Sequence, residues 1–207
     1  MKIYLLTLLL ILNNKNLFSQ LFEGKIIYKV EYLNSKTQQK DTKLEEEEGT
    51  EEEFFIKNGN YLIKSNGTKN EWKLYLSSTN LIYEKRRNND TLYTYNAGIN
   101  KDTILEINSY KSHSKNDTSG LREVVLHCNS GSQYFYYDKK YQMDQSLFSR
   151  HKVNNLNSYL RKSNSIPLTM VFETHNITYE KMSRGIEPQK LEYSIFAIPK
   201  NLIVKNK

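Results

Sequence analysis

Short apolar segments separated by Asn- and Gly-containing turns fill the middle of this chain, and they constrain its fold more than any other feature. An Asn-Gly step at 58–60 lies between the apolar runs 54–57 and 61–64. Such a step between apolar runs is the strongest short-range signal for a β-hairpin. Another turn is predicted at 86–90, and strand-like segments recur about every 9–12 residues over 54–95. The spacing predicts an antiparallel meander.

The composition and the remaining segments extend this interpretation to the whole chain. The 207 residues include 16 tyrosines and 8 phenylalanines but only 3 prolines, which favours strands. Further strands are predicted over 25–32, 102–110, 122–128, 132–138, 166–174, 177–184 and 191–196. Two segments, 145–151 and 154–162, are predicted to be helical, the second because Leu156, Tyr159 and Leu160 share one helix face.

These elements predict a mainly β protein with one domain over 20–207. We expect a single curved antiparallel sheet, an open half-barrel, packed on one or two short helices. A strongly curved sheet around a helix leaves a groove between the two, and that groove is where a ligand would bind.

The first twenty residues have the pattern of an export signal. Lys2 precedes the apolar run 3–12, and a polar stretch with Ser19 follows. We predict a signal peptide over 1–19, cleaved near Gln20, and an exported protein of the periplasm or outer cell envelope. A short membrane anchor or a buried core helix is the alternative. The apolar run has about ten residues, whereas a membrane span needs about twenty, so no transmembrane span is predicted in the mature chain.

Charge is distributed unevenly along the chain. Seven glutamates lie within 45–53, and 34–53 is polar almost throughout, which predicts a mobile acidic loop near 34–53. A short helix through the glutamates is the alternative. Residues 54–207 hold 23 Lys and Arg against 13 Asp and Glu. These cations are scattered along alternating strands, so we interpret them as solubilising side chains and predict no nucleic-acid partner.

No pattern of catalytic or cofactor-binding residues is found. Cys128 is the only cysteine, so an internal disulfide is excluded. Its place in the strand 124–128 predicts burial, with an intermolecular bond as the alternative. His127 precedes it, but neighbours on a strand point to opposite faces. The histidines are widely spaced, at positions 113, 127, 151 and 175. We predict no enzyme, no catalytic residue, no metal site and no cofactor.

Aromatic side chains on the predicted strands are the candidate ligand-binding residues. An aromatic wall suits an apolar or a glycan ligand, although most such residues in sheets belong to the core or to cross-strand pairs. The candidates are Tyr61, Trp72, Tyr75, Tyr83, Tyr93, Tyr134 and Tyr136. Trp72 alternates with Leu74 and Leu76, which places it toward the core or the groove.

Five short elements in a fixed order carry a family resemblance. They are Phe-Glu-Gly-Lys-Ile-Ile-Tyr at 22–28, Tyr-Phe-Tyr-Tyr at 134–137, the pair 147–152 and 157–160, Ile-Pro-Leu-Thr-Met-Val at 166–171, and a final strand ending at 196–199. The layout resembles the lipoprotein-carrier-like (LolA-like) exported families of unknown function, including the GLPGLI-type proteins of Gram-negative envelopes. The literal Gly-Leu-Pro-Gly-Leu-Ile motif is absent, and 165–168 is its nearest match.

The resemblance implies a curved antiparallel sheet wrapped around helices. In the true carriers that surface holds lipoprotein acyl chains, so the expected partner here is a lipid or a lipoprotein acyl chain. The expected function is an exported envelope protein that binds a lipidic or other apolar ligand between sheet and helix. The alternative is a non-enzymatic interaction or structural module with an envelope protein partner and no small ligand, which the split between acidic and basic regions suggests.

Overall fold

The computed structural model describes residues 21–100, 102–111 and 120–206. The predicted signal peptide lies outside the described residues. The strands are β1 Gly24–Asn34, β2 Glu51–Lys57, β3 Asn60–Ser65, β4 Asn70–Leu76, β5 Leu81–Arg86, β6 Thr91–Asn96, β7 Ile104–Lys111, β8 Arg122–Cys128, β9 Gly131–Gln142, β10 Ser165–Thr174, β11 Ile177–Pro188 and β12 Ile203–Asn206. The α-helices are α1 Thr42–Glu48 and α2 Leu156–Ser163, and 3-10 turns occupy Gln145–Phe148, Val153–Asn155 and Tyr193–Phe196.

The strands of the described part of the chain form one open sheet. Their order is β12-β6-β5-β4-β3-β2-β1-β11-β10-β9-β8-β7. Neighbouring strands are antiparallel except β12, which runs parallel to β6. The prediction of a mainly β protein built on one open antiparallel sheet with short helices is therefore confirmed.

The hairpin between β2 and β3 shows how the turn residues act. Asn58 and Gly59 both have positive φ angles, 45° and 79°, as a two-residue hairpin turn requires. A Cβ atom on Gly59 would lie 2.7 Å from the Cβ atom of Leu147. Glycine at this position therefore adopts the backbone conformation of the turn and also lets the 3-10 turn Gln145–Phe148 pack closely against it.

The two faces of the sheet bury different clusters. The inner face, defined as the face packed against residues 143–163, carries Tyr28, Tyr61 and Phe135 against Phe148 and Tyr159 of that segment. The outer face of β3 to β6 carries a second cluster, which contains Leu62, Leu74, Tyr83 and Leu92 together with Leu191 and Phe196 of the C-terminal segment. Period-two alternation along the strands sends successive side chains to the two clusters.

The segment over the inner face is only partly α-helical. The predicted helix at 154–162 is observed as α2, which buries Tyr159 and Leu160. The predicted helix at 145–151 is shorter, since only Gln145–Phe148 forms a 3-10 turn. The Asp144 side chain caps this turn by accepting a hydrogen bond from the Ser146 N–H.

Two local predictions are corrected. The acidic stretch is not a loop over 42–48, because the alternative, a short helix, is observed as α1 with Asp41 as its N-cap. Carbonyls at the end of α1 accept hydrogen bonds from the N–H groups of Thr68 and Lys69, which fixes the helix to the β3–β4 turn. The strand predicted over 191–196 is also wrong. Leu191 and Phe196 pack into the outer cluster, and Tyr193–Phe196 is a 3-10 turn.

A cavity between the sheet and the 143–163 segment as the candidate functional site

A cavity of about 200 Å³ lies between the inner face and the 143–163 segment. The strands supply most of its wall, and Met143, His151, Val153 and Leu156 close it from the other side. The lining is mainly apolar where Tyr61 and Tyr75 contact His151, and we call this the apolar end. The strand register places Glu52 and Lys73 further along β2 and β4 from that contact, and we call this the charged end.

Aromatic rings form the apolar end. Tyr61 stacks between Phe54 and Tyr75, with ring centroids 5.4 and 5.2 Å apart. Tyr28 also lines the cavity, and its hydroxyl donates a hydrogen bond of 2.7 Å to the carbonyl oxygen of Pro167. Because this hydroxyl is satisfied within the protein, Tyr28 presents an apolar ring to the cavity.

His151 and Tyr61 form a buried polar pair in the same wall. The Nε2 atom of His151 lies 2.8 Å from the Tyr61 Oη atom, and His151 is 2% exposed. Burial lowers the pKa of His151 to about 4 and raises the pKa of Tyr61 well above its ordinary value. Both side chains are therefore neutral near pH 7, and the pair can offer a hydrogen bond but no charge.

An ion pair marks the charged end. The Lys181 ammonium on β11 contacts the Glu52 carboxylate on β2, and both side chains are largely buried. The Lys181 Nζ atom also lies 4.5 Å from the centroid of the Tyr28 ring, a cation–π geometry. The charges of Lys181 and Glu52 therefore neutralise each other within the charged end.

Lys73 on β4 is the second cation of this wall. Its cross-strand partner on β5 is Glu84, but the Glu84 carboxylate contacts the Arg86 Nε atom at 3.3 Å. No carboxylate oxygen in the described part of the chain lies within 4.0 Å of the Lys73 Nζ atom. The charged end therefore contains an ammonium without a direct ionic partner.

The predicted ligand-binding aromatics are divided among several places. Tyr61 lines the cavity. Tyr75 lies behind it, packed on His151 with ring centroids 4.5 Å apart and donating to the Asn80 side-chain oxygen. Trp72 and Tyr83 belong to the outer cluster. Trp72, expected to face the core or the groove, packs on the outer cluster and so lies away from the groove.

The other three aromatics also lie away from the cavity. Tyr134 and Tyr136 alternate on β9 with the inner-face residue Phe135, so their rings lie on the outer face. Tyr93 is on the inner face, where its ring centroid is 4.5 Å from the guanidinium of Arg86. The structure thus brings one of the seven predicted residues to the cavity wall.

Sequence reasoning missed the polar residues of the cavity. Glu52 belongs to the acidic stretch for which the sequence predicts a loop, and Lys181 is one of many scattered strand lysines. The alternation of side chains along β2 could have identified Glu52, because residues two apart on a strand share a face and Phe54 lies on the inner face. His151 lies outside regular elements, so no periodicity indicated its burial.

Other chemistry is limited in the described part of the chain. It contains no group of three or more His, Cys, Asp or Glu side chains arranged to bind a metal ion. Cys128 is buried as predicted, and burial raises the pKa of its thiol to about 11, so the thiol is protonated at neutral pH. None of the described helices has the length and apolar character needed to cross a membrane.

The chain matches no protein-family model and no curated protein.

Proposed function

We propose that this is an exported, non-enzymatic binding protein of the cell envelope that holds a small amphipathic or lipidic molecule in the inner-face cavity. Export rests on the pattern of residues 1–19, and the resemblance to the LolA-like families rests on the five short sequence elements at 22–28, 134–137, 147–160, 166–171 and 196–199. The observation that carries the binding function is the cavity, because it has an apolar end and a charged end on one continuous wall.

Three features support binding over a purely structural role. The cavity is not filled by the protein's own side chains, whereas a core without a ligand is close-packed. Its wall is mostly aromatic and aliphatic with a few convergent polar groups, the usual composition of small-molecule sites. The polar groups are held by defined contacts, such as the Tyr61–His151 hydrogen bond.

Native mass spectrometry of the protein purified from its own host tests this proposal. The expected result is a co-purified amphipathic molecule, and the unliganded protein should bind an added fluorescent acyl probe. Absence of both would overturn the binding function in favour of an interaction module without a small ligand.

A cavity-filling variant locates the site. Met170→Trp adds volume at the cavity wall and should abolish probe binding. Met182→Trp is the matched control, because Met182 lies on the adjacent strand β11 and is 47% exposed. If both variants lost probe binding equally, or if both kept it, the probe would bind outside the cavity.

A further inference from the structure

The charged end of the cavity has an excess of positive charge. Of its ionised side chains, Lys181 is neutralised by Glu52, and Lys73 has no carboxylate oxygen within 4.0 Å in the described ranges. The nearby acids are occupied. Glu84 contacts Arg86, and Glu48 is bound to Lys69 at 2.5 Å and Asn70 at 2.9 Å. Against burial, which acts to raise it, Lys69 and, at longer range, Lys73 hold the pKa of Glu48 below its usual value, so Lys73 acts on Glu48 without contacting it. A ligand group that reaches this end therefore meets the Lys73 ammonium, which no carboxylate of the described ranges contacts directly.

An unpaired ammonium beside an apolar wall favours an anion. A hydrogen bond between a charged donor and a charged acceptor is shorter and stronger than a neutral one, and partial desolvation strengthens it further. Lys181 is less suited to this role, because recruiting it would separate it from Glu52 and leave that carboxylate buried without its partner. Lys73 can bind a ligand without breaking any ion pair.

The size of the cavity limits the ligand. Sites for drug-sized ligands usually enclose about 300–1,000 Å³, and this cavity encloses about 200 Å³. It has room for one short chain or one small ring system, and a two-chain lipid would extend beyond it. Glu52 at the same end also disfavours a second negative charge on the ligand, because like charges repel.

We propose that the ligand is a small single-chain amphiphile with one negative charge, such as a carboxylate, whose head group binds Lys73. Its apolar chain lies against Phe54, Tyr61 and the 143–163 segment. This inference rests on the proposed binding function and adds to it the charge and size of the ligand.

Three probes with one chain and different head groups test the inference: octanoate, 1-octanol and octylamine. Isothermal titration calorimetry of each against the purified protein at neutral pH should give octanoate about tenfold tighter binding than octanol, the size of one charge-assisted contact. Octylamine should bind most weakly. Lys73→Met should bring octanoate to the affinity of octanol without changing octanol binding.

Lys64→Met is the matched control. Lys64 lies on the neighbouring strand β3, where its ammonium is 5.4 Å from the centroid of the Phe55 ring on the outer face. This variant removes the same charge from the molecule but not from the cavity, so it should keep the octanoate preference. If it lost the preference as Lys73→Met does, long-range charge would explain the selectivity and the inference would fail.

The outcomes separate the two proposals. Equal affinities for octanoate and octanol, or a preference that survives Lys73→Met, would overturn the head-group inference while leaving a binding function in place. Failure of all three probes to bind would overturn both. An octanoate preference lost only in Lys73→Met supports both.

Discussion

The Lys57 ammonium and the Glu23 carboxylate form an ion pair of 2.9 Å that joins three distant parts of the chain. Lys57 also donates a hydrogen bond of 2.5 Å to the Leu191 carbonyl, and Glu23 accepts one of 2.5 Å from the Leu191 N–H. The residue before β1, the end of β2 and the C-terminal segment are thereby fixed to one another. Partial burial acts to raise the pKa of Glu23, but the Leu191 N–H and Lys57 outweigh it and hold that pKa below its usual value.

Lys57→Met should destabilise the protein by about 1–3 kcal/mol, because it leaves the Leu191 carbonyl and the Glu23 carboxylate without a buried charged donor. Urea unfolding followed by far-UV circular dichroism measures the loss. Lys64→Met, on an exposed side chain of the next strand, should change the free energy of unfolding by less than about 0.5 kcal/mol. Equal losses in the two variants would show that the junction has no special role.

The sequence predicted the sheet well because strand patterning and turn chemistry are local. The Asn58-Gly59 turn and the alternation along β2 to β6 are contained in a few adjacent residues. The position of the Leu191–Phe196 segment was mispredicted, because its apolar residues suit a strand equally well. Only tertiary packing on Leu62 and Leu74 decides the outcome.

A groove between sheet and helix was predicted, but Tyr61 is the only predicted binding residue that lines the cavity. A groove between sheet and helix follows from a curved sheet, whereas the face on which each aromatic side chain lies depends on register. Tyr134 and Tyr136 lie in a dense aromatic run, yet the alternation of side chains along β9 puts them on the face opposite to that of Phe135. The charged residues of the cavity come from distant parts of the chain, since Glu52 and Lys181 are separated by more than a hundred residues. Only strand pairing brings them and Lys73 to one wall.

The Lys181–Glu52 pair should behave as a unit. Lys181→Met should cost about 3–5 kcal/mol, because it leaves a buried carboxylate uncompensated. Adding Glu52→Gln to that variant should recover most of the loss, since a neutral amide costs less to bury than a charge. Urea unfolding of the two single variants and the double variant gives the coupling energy. Additive losses would mean that the two charges do not interact appreciably in solution.

Gly59 should be intolerant of a side chain. Gly59→Ala forces a Cβ atom into a backbone with φ of 79° and within 2.7 Å of Leu147, and we expect a loss of at least about 1 kcal/mol. Gly185→Ala is the control, because a Cβ atom there would meet Ile27 at an ordinary 3.7 Å. Thermal unfolding compares the two variants. A Gly59→Ala protein as stable as Gly185→Ala would contradict the turn geometry.

His151 should make the stability of the protein depend on pH. Burial lowers its folded-state pKa from 6.5 to about 4, so between these values the unfolded chain binds the proton more readily than the folded protein. Stability should therefore be unaffected by this residue above pH 6.5 and fall as the pH drops toward 4, by about 2 kcal/mol between pH 7 and pH 5. Urea unfolding at the two pH values measures the change. His151→Asn should flatten the profile, whereas His175→Asn, at an exposed position, should keep it. A profile that His151→Asn leaves unchanged would assign the pH dependence to other groups.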